Sequence, residues 1–365
     1  MTCSEVRQHI LRLISRGGIA PGGRLPTFRV LARDCGTSVP TVQRAVAMLV
    51  SEGVLVSRIG SGTYVLERGS RPAGKLLGVL FPSGGNMFRN FCSEAEDAIR
   101  EVFLAADCVP VVVYPRRALR GRERKEEELK LIRQMLRQGI AGLIVNSGSG
   151  LRLEPELRSS GIPVVYFNNP GTDRGGFDFV TSDNYQIGRL AADRLIGAGK
   201  TPCAIVADSV TTDAVADRIT GFRDRLREAG VPEPEVIDSD RLPVPFPLET
   251  AERFAGVHGI FGTNDSDAMN SLDLCRRAGL RVPGDIGVIG VDDNEICEHV
   301  TPRLDSIRQH AAAMGRKAAE LLLDRVRNGA GIDFVTVRFC GELVERESVV
   351  PGSGAGREKG ATNPD

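Results

Sequence analysis

Ten arginines crowd the first 71 residues, at positions 7, 12, 16, 24, 29, 33, 44, 58, 68 and 71, against only Glu5, Asp34, Glu52 and Glu67. That segment carries +6 and the remainder −6, on a chain whose formal total is zero. Clustered cations neutralise phosphates, so the basic segment is the part expected to meet a polyanion. Bond-making chemistry has no comparable signal. There is no G-x-x-x-x-G-K-[ST] loop, no G-x-G-x-x-G after the first strand of the acidic body and no G-x-S-x-G elbow. The four histidines, His9, His258, His299 and His310, do not stand at metal-ligand spacing. Eight cysteines (Cys3, Cys35, Cys92, Cys108, Cys203, Cys275, Cys297, Cys340) form no C-x-x-C and have no nearby histidine, so they read as buried small hydrophobes. The chain is expected to be no enzyme and to need no metal or cofactor.

The elements that position the arginines follow from periodicity. Val6, Ile10, Leu13 and Ile14 recur at helical spacing, with Ser4 as the cap, and predict a helix over 4–16 that ends at Gly17-Gly18. A turn-rich connector, Ile19–Pro26, leads to a second short helix capped by Thr27 and stopped at Gly36. Ser38 or Thr37 caps a third, with Pro40 in its first turn and Val42, Ala45, Val46 and Leu49 as its buried stripe. Two short helices about a tight turn make a helix-turn-helix, whose second helix enters the major groove N-terminus first. β-rich runs Val54–Ile59 and Thr63–Leu66 about Gly60 and Gly62 predict a hairpin, and three helices with such a hairpin make a winged helix.

Residues 4–66 resemble the GntR-type winged-helix repressors through Pro21-Gly-Gly-Arg-Leu-Pro26, Arg29, Thr41-Val42, Glu52-Gly53 and the wing Arg58-Ile-Gly60-Ser-Gly62-Thr63. The resemblance implies DNA contacts at Arg29, Thr41 and Gly62. At Val39, Pro40 and Gln43 the chain departs from the family pattern. Gln43 can pair with adenine, Arg44 with guanine or phosphate, and Arg58 with phosphate at the wing, where Gly60 shapes the turn.

A polar Gly/Pro stretch places a linker at 69–74, after a DNA-binding domain at 1–68. Beyond it, strand-like runs at Leu76–Phe81, Val109–Tyr114, Ala141–Asn146, Val164–Phe167, Cys203–Ala207, Gly259–Gly262 and Ile286–Val291 alternate with helical stretches near 93–106, 124–138, 184–198, 214–229, 266–279 and 309–328. Such βαβ repetition predicts an α/β body of two doubly wound parallel-sheet lobes with a ligand cleft between them. Lobe one is expected at about 75–181 and 304–330, and lobe two at about 182–303 and 331–350, before a disordered tail at 351–365. Aromatic residues make up 5% and Trp is absent, which points to a small ligand rather than a stacked polymer. No apolar run approaches 18 residues and the N-terminus has no signal-peptide core, so a cytoplasmic chain without membrane association is expected.

The body is similar to the effector domain of lactose-repressor-type regulators, of periplasmic-binding-protein type I. The likeness runs through Gly161-Ile-Pro-Val-Val165, Thr181-Ser-Asp-Asn184, Arg218-Ile-Thr-Gly-Phe222, Phe261-Gly-Thr-Asn-Asp265, Gly290-Val-Asp-Asp293 and Pro302–Gln309. GntR-type winged helices on such bodies are typified by arabinose-repressor-like proteins. The resemblance implies effector contacts at Asn168, Arg218, Asn264, Asp292 and Gln309. From their place in the loop after the first strand, Ser83, Asn86 and Phe88 are expected as rim contacts, and Phe246 as an apolar face. Structural roles compete: Asn264 as a helix cap, Asp292 in a turn, Arg218 in an interlobe ion pair. The expected function is a regulator, a homodimer on a pseudo-palindromic operator, answering to a sugar-like effector. The alternative is a sugar-binding protein or α/β enzyme without DNA function.

Overall fold

The structure, a computed structural model, describes residues 1–15, 18–20, 22–51, 54–58, 62–65, 76–82, 90–116, 119, 121–146, 153–168, 177–208, 212–329 and 334–350. The linker 69–74, the tail 351–365, Ser83, Asn86, Phe88, Gly60 and the Arg58 side chain lie outside the described residues.

Helix α1 spans Cys3–Ser15, α2 Phe28–Asp34 and α3 Val39–Ser51. The start of α1 is held by Thr2 rather than by Ser4: the Thr2 amide donates to Glu5 Oε2 at 2.7 Å, and the Glu5 amide donates to Thr2 Oγ1 at 3.4 Å. Glu5 closes this capping box three residues on, which Ser4 has no acid positioned to do. Thr27 caps α2 as expected, accepting from the Val30 amide. Gly36, at φ +56°, stops it by entering a left-handed conformation that costs glycine nothing. Ser38 precedes α3, its hydroxyl 2.9 Å from that of Thr41. Val6, Ile10, Leu31, Val42, Ala45, Val46 and Leu49 bury together as one small core.

Strands β1 (Leu55–Arg58) and β2 (Gly62–Val65) pair antiparallel with Arg58 opposite Gly62. The connector read as turn-rich does more than turn. Leu25 N donates to Thr63 O, Val65 N to Gly23 O, and Arg24 pairs antiparallel with Tyr64, so residues 22–25 lie along the two-stranded wing, joined to β2 by an isolated bridge.

The body continues with β3 (Leu76–Leu80), α4 (Phe91–Ala105), β4 (Val109–Val113), α5 (Gly121–Arg137), β5 (Leu143–Val145), α6 (Glu154–Ser160), β6 (Val164–Phe167) and β7 (Asp178–Ser182). Then come α7 (Asn184–Gly197), β8 (Cys203–Ala207), α8 (Asp213–Glu228), β9 (Glu235–Asp238), β10 (Gly259–Gly262), α9 (Asp265–Arg277), β11 (Gly287–Asp292), β12 (Asp305–Arg308), α10 (Ala311–Asn328), β13 (Thr336–Phe339) and β14 (Glu342–Val344). Two six-stranded sheets result, ordered β13-β7-β6-β5-β3-β4 and β14-β12-β11-β10-β8-β9, parallel apart from the β12–β14 pair. Each is doubly wound, with its strand order reversing between β3 and β5 in one lobe and between β8 and β10 in the other.

The lobe boundaries differ from those expected. Strand β12 belongs to the lobe-two sheet, although residues from 304 are expected in lobe one, and β13 returns to lobe one within 331–350, expected in lobe two. The chain therefore crosses between lobes at 183, at 309–310 and at 340–341. Buried ion pairs fix these returns. Asp178 on β7 binds Arg325 of α10 at 2.8 Å and accepts from the Val335 amide, which brings β13 alongside β7. In lobe two Asp305 binds Arg194 at 2.9 Å and accepts from the Val349 amide.

Helix pairs α7–α8 and α4–α10 pack backbone to backbone at glycines. A Cβ at Gly188 would sit 2.0 Å from the Arg218 carbonyl, one at Gly221 2.0 Å from the Tyr185 carbonyl, and one at Gly315 2.4 Å from the Ala95 carbonyl. The α7–α8 contact sets the height of Arg218 above the sheet.

Candidate functional site

The winged helix presents one polar face. With Val42, Ala45, Val46 and Leu49 turned inward, α3 leaves Gln43 and Arg44 exposed and Thr41 half-buried. Arg29 is exposed on α2, and Gly62 begins β2 at φ +118°. Arg24, which sequence reasoning did not single out, lies against that wing turn: a Cβ on Gly62 would come within 2.7 Å of its Nε. Arg24, Arg29 and Arg44 are exposed and pair with no acid among the described residues, so their charge is available to a polyanion.

The second site gathers at the carboxyl ends of the lobe-two strands. Arg218, on the second turn of α8, is buried; its Nε donates to Asn184 Oδ1 at 2.8 Å and its Nη1 to the Thr263 carbonyl at 2.6 Å. Burial lowers its pKa, and the carboxylates of Asp292, Asp208 and Asp265 oppose that shift. Asp292 ends β11 with φ +114°, a conformation rare outside glycine, in keeping with a functional position. The adjoining Asp293 is held by Arg308 at 2.7 Å and Arg346 at 2.6 Å, and its amide donates to Ser306 Oγ, so the turn is clamped from both sides. Gln309 Nε2 donates to Asp292 Oδ1. Burial raises the Asp292 pKa to about 6, against the opposing pull of Arg218.

Behind these stand two further buried acids. Burial and the charge of Asp292 push Asp265 up to about 8, while Ser306 Oγ at 2.6 Å and the Asn294 amide at 2.8 Å donate to it. Gly290 makes room, since a Cβ there would lie 2.4 Å from Asp265 Oδ1. Burial likewise raises Asp267, which accepts from Ser239 Oγ at 2.7 Å and from Asn264 Nδ2 at 2.8 Å. Asn264 caps α9 through the Asp267 amide and also donates to Asp208 at 2.9 Å. Its structural role is therefore real and coexists with a place at the strand end.

Arg218, Asp292 and Gln309 are thus brought into one connected group, with Asn264 joined through Thr263 and Asp267. Asn168 stands on the other lobe, after β6, at φ +58°, with its amide donating to Val180 O. Among the described residues four buried side-chain polar atoms have no hydrogen-bond partner, and two of them, Gln309 Oε1 and Asn168 Oδ1, are amide acceptors on residues expected to face the effector. The Gln309 amide cannot simply flip, because its oxygen would then face the Asp292 carboxylate. Leaving such acceptors unmet costs about 1–3 kcal/mol each, which a hydroxyl-bearing ligand recovers.

Phe246 does not serve as an apolar ligand face. It is 1% exposed and packs with Ile237, Phe254 and Ile260 inside lobe two, because the residues around it run back under β9 and β10. The residues that sequence reasoning missed, Asp208, Thr263, Asp265, Asp267, Asn184 and Ser306, are neighbours in space of the predicted ones. Four of them, Asn184, Thr263, Asp265 and Ser306, lie inside the sequence motifs that carry the resemblance, and that adjacency was the available signal. The lobes also touch directly, as the Phe91 amide at the start of α4 donates to Asn294 Oδ1 at 2.9 Å. Among the described residues no group of His, Cys, Asp and Glu is arranged to hold a metal, and no helix is long and apolar enough to cross a membrane. Five cysteines are buried, but Cys340 is exposed.

Comparison with known proteins places both sites in a context. Residues 2–65 match the family of bacterial regulatory proteins, gntR family. Residues 192–349 match a periplasmic binding protein-like domain, and residues 118–242 match periplasmic binding proteins and sugar binding domain of LacI family. The HTH-type transcriptional regulator GntR of Pseudomonas aeruginosa is 30% identical over 349 residues, 88% of this chain and 95% of its own length. The arabinose metabolism transcriptional repressor of Geobacillus stearothermophilus is 27% identical over 372 residues, 94% and 96% of the two chains. A periplasmic binding protein/LacI transcriptional regulator from Alkaliphilus metalliredigens, solved with D-xylulofuranose, superposes with a TM-score of 0.66 at 25% identity, over 76% of this chain and 100% of that one.

Proposed function

The chain belongs to the transcriptional regulators that join a GntR-type winged helix to a LacI-type effector domain, and from that premise we propose that it binds operator DNA as a homodimer and releases or grips it in answer to an uncharged sugar. The observation that carries the effector reading is the pair of buried, unmet acceptors, Gln309 Oε1 and Asn168 Oδ1, one on each lobe. A ligand with hydroxyl donors satisfies both only when the lobes close on it, which gives the unequal affinity for two lobe arrangements that a switch requires. Arg218 fixes the ligand's acceptors, with Asp292 and Asn264 taking further hydroxyls. A buried guanidinium facing the carboxylates of Asp208 and Asp292 leaves the site net negative, which disfavours sugar acids and sugar phosphates.

On the DNA side, Gln43 and Arg44 meet base edges, with Thr41, Arg29, Arg24, Arg58 and the wing glycines Gly60 and Gly62 placing the module on the phosphates. A single winged helix reads a half-site, so a two-fold dimer suits a pseudo-palindromic operator. Exposed apolar residues at the edge of lobe one, Leu104, Val109 and Tyr114, and on lobe two, Val244 and Leu248, support a second copy as the occupant of those surfaces.

The test is a thermal-shift and calorimetric panel of neutral pentoses and hexoses with their aldonates and phosphates, on the full chain and on Arg218→Ala. A neutral sugar is expected to bind and to lose at least tenfold in affinity in the variant. Tighter binding of an aldonate or phosphate than of its parent, or undiminished binding to Arg218→Ala, overturns the reading.

A further inference from the structure

A cavity of about 250 Å³ lies at the hinge, apart from the cleft just described. Both lobes build it. From lobe one come Thr181 of β7 and Arg338 of β13, cross-strand partners in the sheet register, with Phe179 and Thr336 as the next pair on the same face. From the crossing come Asp183 and Asn184, and from lobe two Asp217, one turn from Ala214 on α8. None of Asn168, Arg218, Asn264, Asp292 and Gln309 lines it.

The wall chemistry is specific in sign. Arg338 is exposed and has no hydrogen bond or ion pair among the described residues. Asp183, whose carboxylate also caps α7 through the Gln186 amide, and Asp217 line the same space, together with Thr181 and Thr336. One guanidinium against two carboxylates disfavours a phosphate or any other pure anion. A neutral polyol would bring no charge to either sign of wall. A cavity of this size admits a small ligand. A planar carboxylate fits the guanidinium fork, and an ammonium fits between carboxylates.

We propose that the hinge cavity binds a small α-amino acid, with its carboxylate on Arg338 and its ammonium between Asp183 and Asp217. Occupancy is transmitted to the effector site by Asn184. That residue is 4% exposed and lines the cavity; its Oδ1 is the acceptor for Arg218 Nε, and its Nδ2 donates to the Ser182 carbonyl. Because lobe one supplies the carboxylate contact and lobe two supplies Asp217, the ligand also favours the hinge angle that brings those walls together. The transmission to Arg218 rests on the effector reading above; the binding itself does not.

The experiment is a thermal-shift screen of the standard α-amino acids on the full chain, repeated on Arg338→Ala and Asp217→Asn, both exposed positions. At least one small amino acid is expected to raise the melting temperature by a few degrees. Its decarboxylated and deaminated analogues are expected to give no shift, and each variant should abolish the effect. Absence of any shift, an equal shift from an analogue, or a shift that persists in either variant overturns the proposal. Sugar binding is measured in parallel on the unsubstituted chain and on Arg338→Ala: sugar binding with no amino-acid effect in the unsubstituted chain rejects the hinge site alone, whereas no sugar binding by the unsubstituted chain rejects the effector reading.

Discussion

Gly188 and Gly197 lie in the same helix, and alanine at the two positions is predicted to act with opposite signs. At Gly188 the added Cβ falls 2.0 Å from the Arg218 carbonyl and 2.8 Å from the Phe222 amide nitrogen, both backbone atoms. An ordinary carbon–oxygen contact needs about 3.4 Å, so α7 and α8 must part by roughly 1.4 Å. Arg218 travels with α8. Its bonds to Asn184 and to Thr263, now 2.8 and 2.6 Å, would pass the limit of useful hydrogen bonding. Overpacking of this kind costs about 1–3 kcal/mol, which in a domain of this size lowers the melting temperature by about 2–12 °C. At Gly197 nothing lies within 4 Å of the new methyl, and the helical backbone gains from losing glycine's freedom, so stability rises by about 0.5–1 kcal/mol. Urea melts followed by circular dichroism, with sugar binding measured on the same samples, compare the two. A Gly188→Ala chain as stable as the parent and binding sugar equally well would refute the claim that this helix contact positions Arg218.

The remaining predictions concern charge. Asp292, raised to about 6, and Asp265, raised to about 8, hold protons in the folded chain that the unfolded chain has released. Their contribution is therefore fully present below about pH 4 and is lost as pH rises through about 6 and then about 8. Melting temperature of the unliganded protein should fall across that window. Asp292→Asn should remove the lower part of the fall and raise stability near pH 8, at the expense of sugar affinity; an unaltered pH profile would contradict the burial of that carboxylate. On the DNA side, Arg29→Ala and Arg24→Ala should each weaken binding to all sequences alike and reduce the salt dependence by about one counterion, measured by fluorescence anisotropy across a salt series. A change in sequence preference, with the salt slope intact, would assign them to base readout instead.

The sequence legibly determined those features whose cause is local. Helical spacing in Val6–Ile14 and Val42–Leu49, and the unbroken apolar runs Val164–Phe167 and Cys203–Ala207, carry their own secondary structure, since buried parallel strands and amphipathic helices are written in period and composition. Short or polar strands were not legible. Asp178–Ser182, Asp305–Arg308 and Thr336–Phe339 are strands because a long-range partner accepts their hydrogen bonds, and Asp178 and Asp305 sit in them because distant arginines, Arg325 and Arg194, neutralise them.

The same division runs through the sites. Arg218, Asp292 and Gln309 were nameable from motif order, yet that Gln309 holds Asp292 while keeping an unmet oxygen, or that Arg24 folds back onto the wing, follows from contacts between residues far apart in the chain. Phe246 shows the converse: an aromatic residue in a loop-like stretch became core because tertiary packing offered it a dry cavity. What the chain wrote for itself was local periodicity, turn chemistry and the split between basic and acidic halves. Which carboxylates are dry, which acceptors stay unmet and where the lobes exchange strands were decided only by folding, because desolvation and close approach are properties of the assembled neighbourhood and of no single residue.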